Sequence, residues 1–400
     1  MNTSILIDSL AESDARLTMG PTGETLLTFG DVPAEYRAAT QAAMVFDQTD
    51  RGLVSVRGKD ATDFLHRITA NRIKGLAPGA GNANLLLTGK GKIVEMFDLV
   101  LLGPGEGYLL STPPGRAASL MTALDMYLFA EDVQLGDETE RHAPLALIGP
   151  AALATASAAI RSLGLGQEAS ALANLEPHAS VLIEQSATET SSGETSGKQL
   201  TLRITALSTA GREGLRLEFI GLEGDTLIEA TKTLWQSLTQ AGATPGGVAL
   251  FDILRTEACT AAFGVDIDDT VYPQEARLEP AFNLEKGCYI GQEVVAKIDT
   301  YGGLNKRLCA LQTGEDPIPR GTRLWREDPK RGWRDLGVVT TWSWSFALDT
   351  GLALAYVKRR HQEPGTEFRL APEGTDPEAI ATSQTATLVE TPLEPAANPA

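Results

Sequence analysis

Chemistry concentrates in one stretch of the chain, Asn283-Leu284-Glu285-Lys286-Gly287-Cys288-Tyr289-Ile290-Gly291-Gln292-Glu293-Val294-Val295-Ala296-Lys297. An ammonium, a thiol, an amide and a carboxylate fall between Lys286 and Glu293, and Gly287 and Gly291 permit tight backbone turns among them. The apolar run Val294-Val295-Ala296 suits the start of a buried helix. Cys288 then lies just before a helix N-terminus, where unpaired N–H groups and the positive end of the helix dipole favour an anion such as a thiolate, with Lys286 adding to the effect. On this reading Cys288 is a reactive thiol. The alternative is a small buried hydrophobe, the commoner fate of an isolated cysteine. Cys259 and Cys309 have no comparable surroundings and read as packing residues.

The elements that must position this stretch are legible in outline. Residues 51–57 alternate like a strand, and Ala61, Phe64, Leu65 and Ile68 recur at helical spacing. Residues 85–87 and 93–102 flank a Gly89-Lys90-Gly91-Lys92 turn and read as a hairpin. Asp225 can cap a helix whose Leu227, Ile228, Leu234, Trp235 and Leu238 form one stripe, ended by Gly242 and the Pro245-Gly246-Gly247 breaker. Beyond residue 300, short runs at 308–311, 337–341 and 352–357 between Gly, Pro and Asp turns predict a compact β-barrel or sandwich. Trp325, Trp333, Trp342 and Trp344 read as its packing.

At 400 residues the chain is long enough for two or three domains. Its formal charge of −18 argues against direct DNA binding, which needs surplus cations to neutralise phosphates. Residues 301–360 run against that trend, with 11 Lys and Arg against 6 Asp and Glu, so any attraction for an anionic ligand or acidic partner belongs there. Three scattered cysteines make neither a disulfide framework nor a zinc site, and His66, His142, His178 and His361 match no metal pattern. No basic leader and no sufficiently long apolar run is present, so the expectation is a cytoplasmic protein without a membrane segment. Residues 186–198 read as a flexible surface loop and 371–400, acidic and rich in Pro and Ala, as a disordered tail.

Lys286-Gly287-Cys288-Tyr289-Ile290-Gly291-Gln292-Glu293 resembles the signature of the YgfZ-type, GcvT-like folate-binding proteins. Val45-Phe46-Asp47-Gln48-Thr49-Asp50-Arg51-Gly52, Phe64-Leu65-His66-Arg67-Ile68-Thr69-Ala70-Asn71 and Leu254-Arg255-Thr256-Glu257 followed by Phe263-Gly264-Val265-Asp266-Ile267 agree with it. The resemblance implies an α+β fold: after an N-terminal extension (1–24), a GcvT-like body of two lobes around a central channel (25–300), a small C-terminal β-barrel domain (301–370) and the tail (371–400). It also implies tetrahydrofolate as the bound cofactor and iron–sulfur client proteins as partners, tRNA-modifying radical enzymes among them; the chain itself is expected to be a monomer.

Residue by residue, Cys288 matches the motif cysteine, whose thiolate would bond transiently to sulfur, iron or an oxidised partner. Lys286, Gly287, Tyr289 and Gly291 complete its loop, while Gln292 and Glu293 either orient the loop or accept pterin N–H groups, with a helix-start cap as the other reading for Glu293. Arg255 and Glu257 form an ion-paired structural element, or Arg255 grips a folate carboxylate. Asn71 contacts the pterin or caps a helix. The chain also departs from the aminomethyltransferases of this superfamily: their Asp-Asp pair after the glycine turn corresponds to Glu95-Met96, and a thioether holds no proton. Asp98 is the other carboxylate on this strand, but alternation sets it on the face opposite Glu95. Two functions follow: an accessory factor for assembly or maintenance of iron–sulfur proteins, or a folate-dependent aminomethyltransferase-type enzyme.

Overall fold

The computed structural model describes residues 6–7, 15–103, 105–165, 172, 174–184 and 200–395. The expected loop at 186–198 lies outside the described residues. The chain divides into two compact units, one of residues 1–84 and 95–250, the other of residues 85–94 and 251–400.

The first unit opens with an antiparallel hairpin, β1 (Arg16–Met19) and β2 (Glu24–Thr28). There follow β3 (Met44–Asp47), β4 (Arg51–Arg57), β5 (Gly81–Leu87), β6 (Ile93–Leu101), β7 (Tyr108–Pro114), β8 (Gln134–Asp137), β9 (Leu145–Ile148), β10 (Ser180–Glu184), β11 (Thr201–Thr209), β12 (Arg212–Ile220) and β13 (Thr244–Gly246). They make two sheets, of order β5-β6-β7-β4-β8 and β10-β11-β12-β9-β3-β13. The turn between β5 and β6, expected from the glycine-lysine pairs, groups with the second unit.

Strand alternation in β12 decides what each face can do. Leu215, Leu217 and Phe219 join the apolar core together with Ala156, Ala159 and Ile160 of helix Ala152–Ser162 and Leu227, Leu234, Trp235 and Leu238 of helix Gly224–Gln240. Each large side chain removed from water there contributes roughly 1.5–3 kcal/mol. Arg216 and Glu218, also buried, point to the other face. Asp225 sits in the first turn of the Gly224–Gln240 helix rather than capping it, because Glu223 holds the cap position.

The second unit contains a closed barrel of β14 (Lys306–Gln312), β15 (Arg323–Asp328), β16 (Gly332–Ser345), β17 (Thr350–Lys358), β18 (Glu367–Ala371) and β19 (Thr385–Val389), in the order β14-β17-β16-β15-β18-β19. The β-barrel expectation therefore stands, but its end at residue 370 and the disordered tail from 371 do not. β19 pairs with both β14 and β18, so it is the strand that removes the open edges of the sheet. Ala386 and Leu388 alternate into the barrel core beside Phe368 and Leu370. Composition concealed this strand because a barrel closes with only two inward side chains of Thr-Ala-Thr-Leu-Val. Trp342 packs on the same core and its Nε1 donates to Thr313 Oγ1 at 3.0 Å, and Trp325 Nε1 donates to the Ala371 carbonyl at 3.1 Å.

Candidate functional site

Between the two sheets of the first unit, a small hollow is lined by Asp98, Arg203, Arg216, Glu218 and His178 against Leu53, Leu99, Val100, Leu109 and Leu207, with Ser111 and Thr205. Its cavity volume is about 20 Å³. As built it has room for about one water.

Asp98 is the focus of the hollow. Arg216 Nη2 on β12 donates to its Oδ2 at 3.2 Å, and Arg51 Nη2 at the start of β4 lies 3.4 Å from the same oxygen. His178 Nδ1 stands 3.6 Å from Oδ1. Burial alone would raise the carboxyl pKa, but Arg216, Arg51 and His178 outweigh it and hold Asp98 below the ordinary carboxylate range. Burial and the neighbouring Arg216 push Arg51 down to about 10, which leaves it charged at neutral pH. His178 adopts φ +62°, a left-handed backbone, and its N–H donates to the Ala206 carbonyl at 2.7 Å.

Glu218 forms a second ion cluster beside it. Arg203 donates to Glu218 Oε1 through Nε at 3.0 Å and Nη2 at 2.8 Å, and His142 pairs with Oε2. Burial opposes ionisation of Glu218, and Arg203, His142 and Arg216 together drive its pKa well below the usual value. Two donors of this assembly, Arg216 Nε and Arg203 Nη1, are buried with no hydrogen-bond partner. Such orphans are costly unless a ligand or water meets them. The carboxylate acceptor, free guanidinium donors and aliphatic walls match a flat polar ring with N–H groups and a carbonyl in chemistry, although the space now present is smaller than such a ring.

This cluster escaped the reading of the sequence, which set Asp98 aside for facing away from Glu95. The alternation is as expected, but its consequence is reversed. Glu95 occupies the buried face, where it pairs with Arg116, whereas Asp98 and Met96 share the face of β6 that bears the hollow's carboxylate. A signal for the second cluster was present: the Ala210-Gly211 turn, both residues at positive φ, sets a register that opposes Arg203 to Glu218.

The motif loop lies in the second unit. Cys288 is exposed and precedes helix Gln292–Tyr301, whose N-cap is Gly291 at φ +83°. A Cβ on Gly291 would come within 2.5 Å of the Thr88 carbonyl and 3.0 Å of Gly91 Cα, so only glycine lets the loop seat on the β5–β6 turn. Lys286 is buried, with its ammonium 5.2 Å from the centre of the Tyr289 ring. The Tyr289 hydroxyl is buried without a hydrogen-bond partner, and burial pushes its pKa up to about 12. Glu293 is exposed and pairs with Lys297 at 2.6 Å, while Gln292 is half-buried; of the helix, only Val295 is fully buried. Cys259 and Cys309 are buried, in keeping with packing.

The remaining candidates are held by the protein itself. Arg255 lies on helix Val248–Glu257, so it and Glu257 do not share a side as they would on a strand. Its Nε donates to Asp252 at 2.7 Å, Nη1 to Asp266 at 2.7 Å and Nη2 to Thr341 Oγ1 at 3.1 Å. Glu257 accepts from Ser345 Oγ at 2.8 Å and the Ala347 N–H at 3.0 Å. Both tie the helix to the barrel strand β16. Asn71 lies beyond the C-cap Thr69; its Nδ2 donates to the Ala83 carbonyl at 2.8 Å and its N–H donates to Asn84 Oδ1 at 2.9 Å. Among the described residues no group of three His, Cys, Asp or Glu side chains could hold a metal ion, and no helix is long and apolar enough to cross a membrane.

Residues 23–183 match the GCVT N-terminal domain, and residues 306–392 the glycine cleavage T-protein C-terminal barrel domain. The chain is similar to the aminomethyltransferase of Chlorobium limicola, with 27% identity over 87% of this chain and 88% of the relative. It is also similar to that of Symbiobacterium thermophilum, with 29% identity over 94% and 95%. The crystal structure of the glycine cleavage system aminomethyltransferase T from Bartonella henselae superposes with a TM-score of 0.77 at 21% identity, covering 98% of this chain and 97% of that one. With both domains matched and the architecture shared from end to end, this chain has the GcvT-like fold, an α+β body followed by a closed six-stranded barrel.

Proposed function

We propose that the protein binds tetrahydrofolate in the first unit and handles a one-carbon unit carried on it, as an aminomethyltransferase-type enzyme. The observation that carries this reading is the Asp98 carboxylate, kept ionised between Arg51 and Arg216 in a hollow with two orphaned guanidinium donors. An ionised carboxylate accepts the adjacent N–H groups of a pterin edge, while Arg216 Nε and Arg203 Nη1 are free to donate to its carbonyl. The aliphatic walls suit the ring faces. A ring larger than the present space enters only if a wall side chain gives way. Because its pKa is lowered, Asp98 acts as an acceptor and electrostatic anchor and is a poor general base. The names of the similar proteins support the transfer chemistry.

A second reading keeps the folate site and places the reactivity on Cys288: an accessory factor for iron–sulfur proteins. It is favoured by the exposure of that thiol on a glycine-locked loop and by Met96 beside Asp98. One pair of measurements separates the two. Purified protein is titrated with tetrahydrofolate and assayed with an aminomethyl donor, and cells lacking the protein are complemented with Cys288→Ala and tested for iron–sulfur enzyme activity. The transferase reading expects multiple turnover and full rescue by Cys288→Ala. Absence of turnover together with loss of rescue would replace it by the second reading, and failure of tetrahydrofolate to bind would end both.

A further inference from the structure

The barrel unit carries charge that neither reading uses. Lys306, Arg323, Lys358, Arg359, Arg360 and His361 converge on one open cleft of about 740 Å³, whose lining includes one carboxylate, Asp335. That carboxylate is taken by Arg323. Lys358 Nζ donates to the Asp335 backbone carbonyl at 2.7 Å, Arg359 donates to the Gly302 carbonyl, and the Lys306 ammonium lies 4.6 Å from the centre of the Tyr356 ring. Among the described residues, Lys306, Lys358, Arg359 and Arg360 have no ion-pair partner. His361 Nδ1 is buried and unbonded, and burial with Arg326, Lys358 and Arg360 nearby holds its imidazole below the ordinary range.

We propose that this cleft binds a small organic molecule bearing two or more linked phosphoryl groups, in the manner of a nucleoside diphosphate. Lys306 is partly balanced by Asp268, but Lys358, Arg359 and Arg360 lie side by side without an ion pair and repel one another, and a single ligand with several negative charges relieves them together where separate monovalent ions would not. The planar forks of Arg359 and Arg360 match phosphoryl oxygens. Leu304, Val338 and the Tyr356 body supply apolar lining for an organic part, and the volume lies within the range of small-ligand pockets. A long nucleic acid fits less well, because the basic region is one bounded cleft on a chain of charge −18.

The test is calorimetric titration of the full chain at physiological salt with ADP, inorganic pyrophosphate, citrate and a short single-stranded oligonucleotide. ADP and pyrophosphate are expected to bind at least tenfold more tightly than citrate or the oligonucleotide. Arg360→Glu and Lys358→Glu, both exposed positions, should each weaken ADP at least tenfold with an unchanged circular dichroism spectrum and melting temperature, and Arg360→Lys should fall between. The proposal is overturned by absence of ADP and pyrophosphate binding at millimolar concentration, by citrate or the oligonucleotide binding as tightly, or by unaltered ADP affinity in both charge-reversal variants.

Discussion

Asp98 and Arg216 meet at 3.2 Å from different sheets of the first unit, one on β6 and the other on β12. Neither strand alone forms the pair. Because Arg51 also reaches Asp98 Oδ2, the carboxylate balances two guanidinium groups, and removing it leaves like charges facing each other.

Asp98→Ala should therefore destabilise the protein by about 2–4 kcal/mol in denaturant unfolding. Asp98→Asn keeps an acceptor and should cost less, yet weaken tetrahydrofolate at least tenfold in a fluorescence titration. Wild-type affinity in Asp98→Asn would remove this carboxylate from the folate site.

Glu218 and Asp98 both have lowered pKa values in the folded protein, through their arginine neighbours and against the effect of burial. Their stabilisation is complete above the unfolded-state values, about 4, and is lost as pH falls through that range toward the folded values. Asp50 acts in the opposite sense: burial and Asp47 raise it to about 6, so it subtracts stability as pH rises from about 4 to about 6 and by a constant amount above that. Chemical unfolding from pH 3 to 7 should show stability rising through pH 4, with a shallower rise in Glu218→Gln. That variant should also lose roughly 3–5 kcal/mol at pH 7, as expected for a broken buried pair.

Native protein should present one thiol to a maleimide or iodoacetamide. Cys288 is exposed, whereas burial drives Cys259 up to about 11 and raises Cys309 as well. Mass spectrometry after brief labelling should locate the adduct at residue 288. Cys288→Ala should change stability by less than about 0.5 kcal/mol.

Gly291→Ala should destabilise the motif loop, since the new Cβ meets the Thr88 carbonyl at 2.5 Å and the backbone sits at φ +83°. A loss of about 1–3 kcal/mol is expected, with altered labelling kinetics at Cys288. An unchanged rate and melting temperature would show that the loop does not depend on its seat against the β5–β6 turn.

Truncation after Thr382 removes β19 and should unfold the barrel or lower its melting temperature by more than 5 °C. β19 supplies two ladders and two core side chains.

Local pattern was enough for the elements that depend on neighbours in the chain. The alternation of residues 51–57 became β4, the glycine-lysine turn became the β5–β6 connection, and the stripe of Leu227, Leu234, Trp235 and Leu238 became a buried helix face. The exposed Cys288 ahead of a helix beginning at Gln292 was likewise readable, because glycine placement and helix-start chemistry act over a few residues. Arg255 shows where such reading stops: its two-residue spacing to Glu257 cannot tell strand from helix, and its partners Asp266 and Thr341 are distant in sequence. The same is true of the ion cluster. Sequence alone set the charges of Arg51, Asp98, Arg203, Arg216 and Glu218 and the face each takes on its strand. Which faces meet was decided only by tertiary packing of two sheets, since an ion pair forms between atoms within 4 Å and chain separation carries no information about that distance.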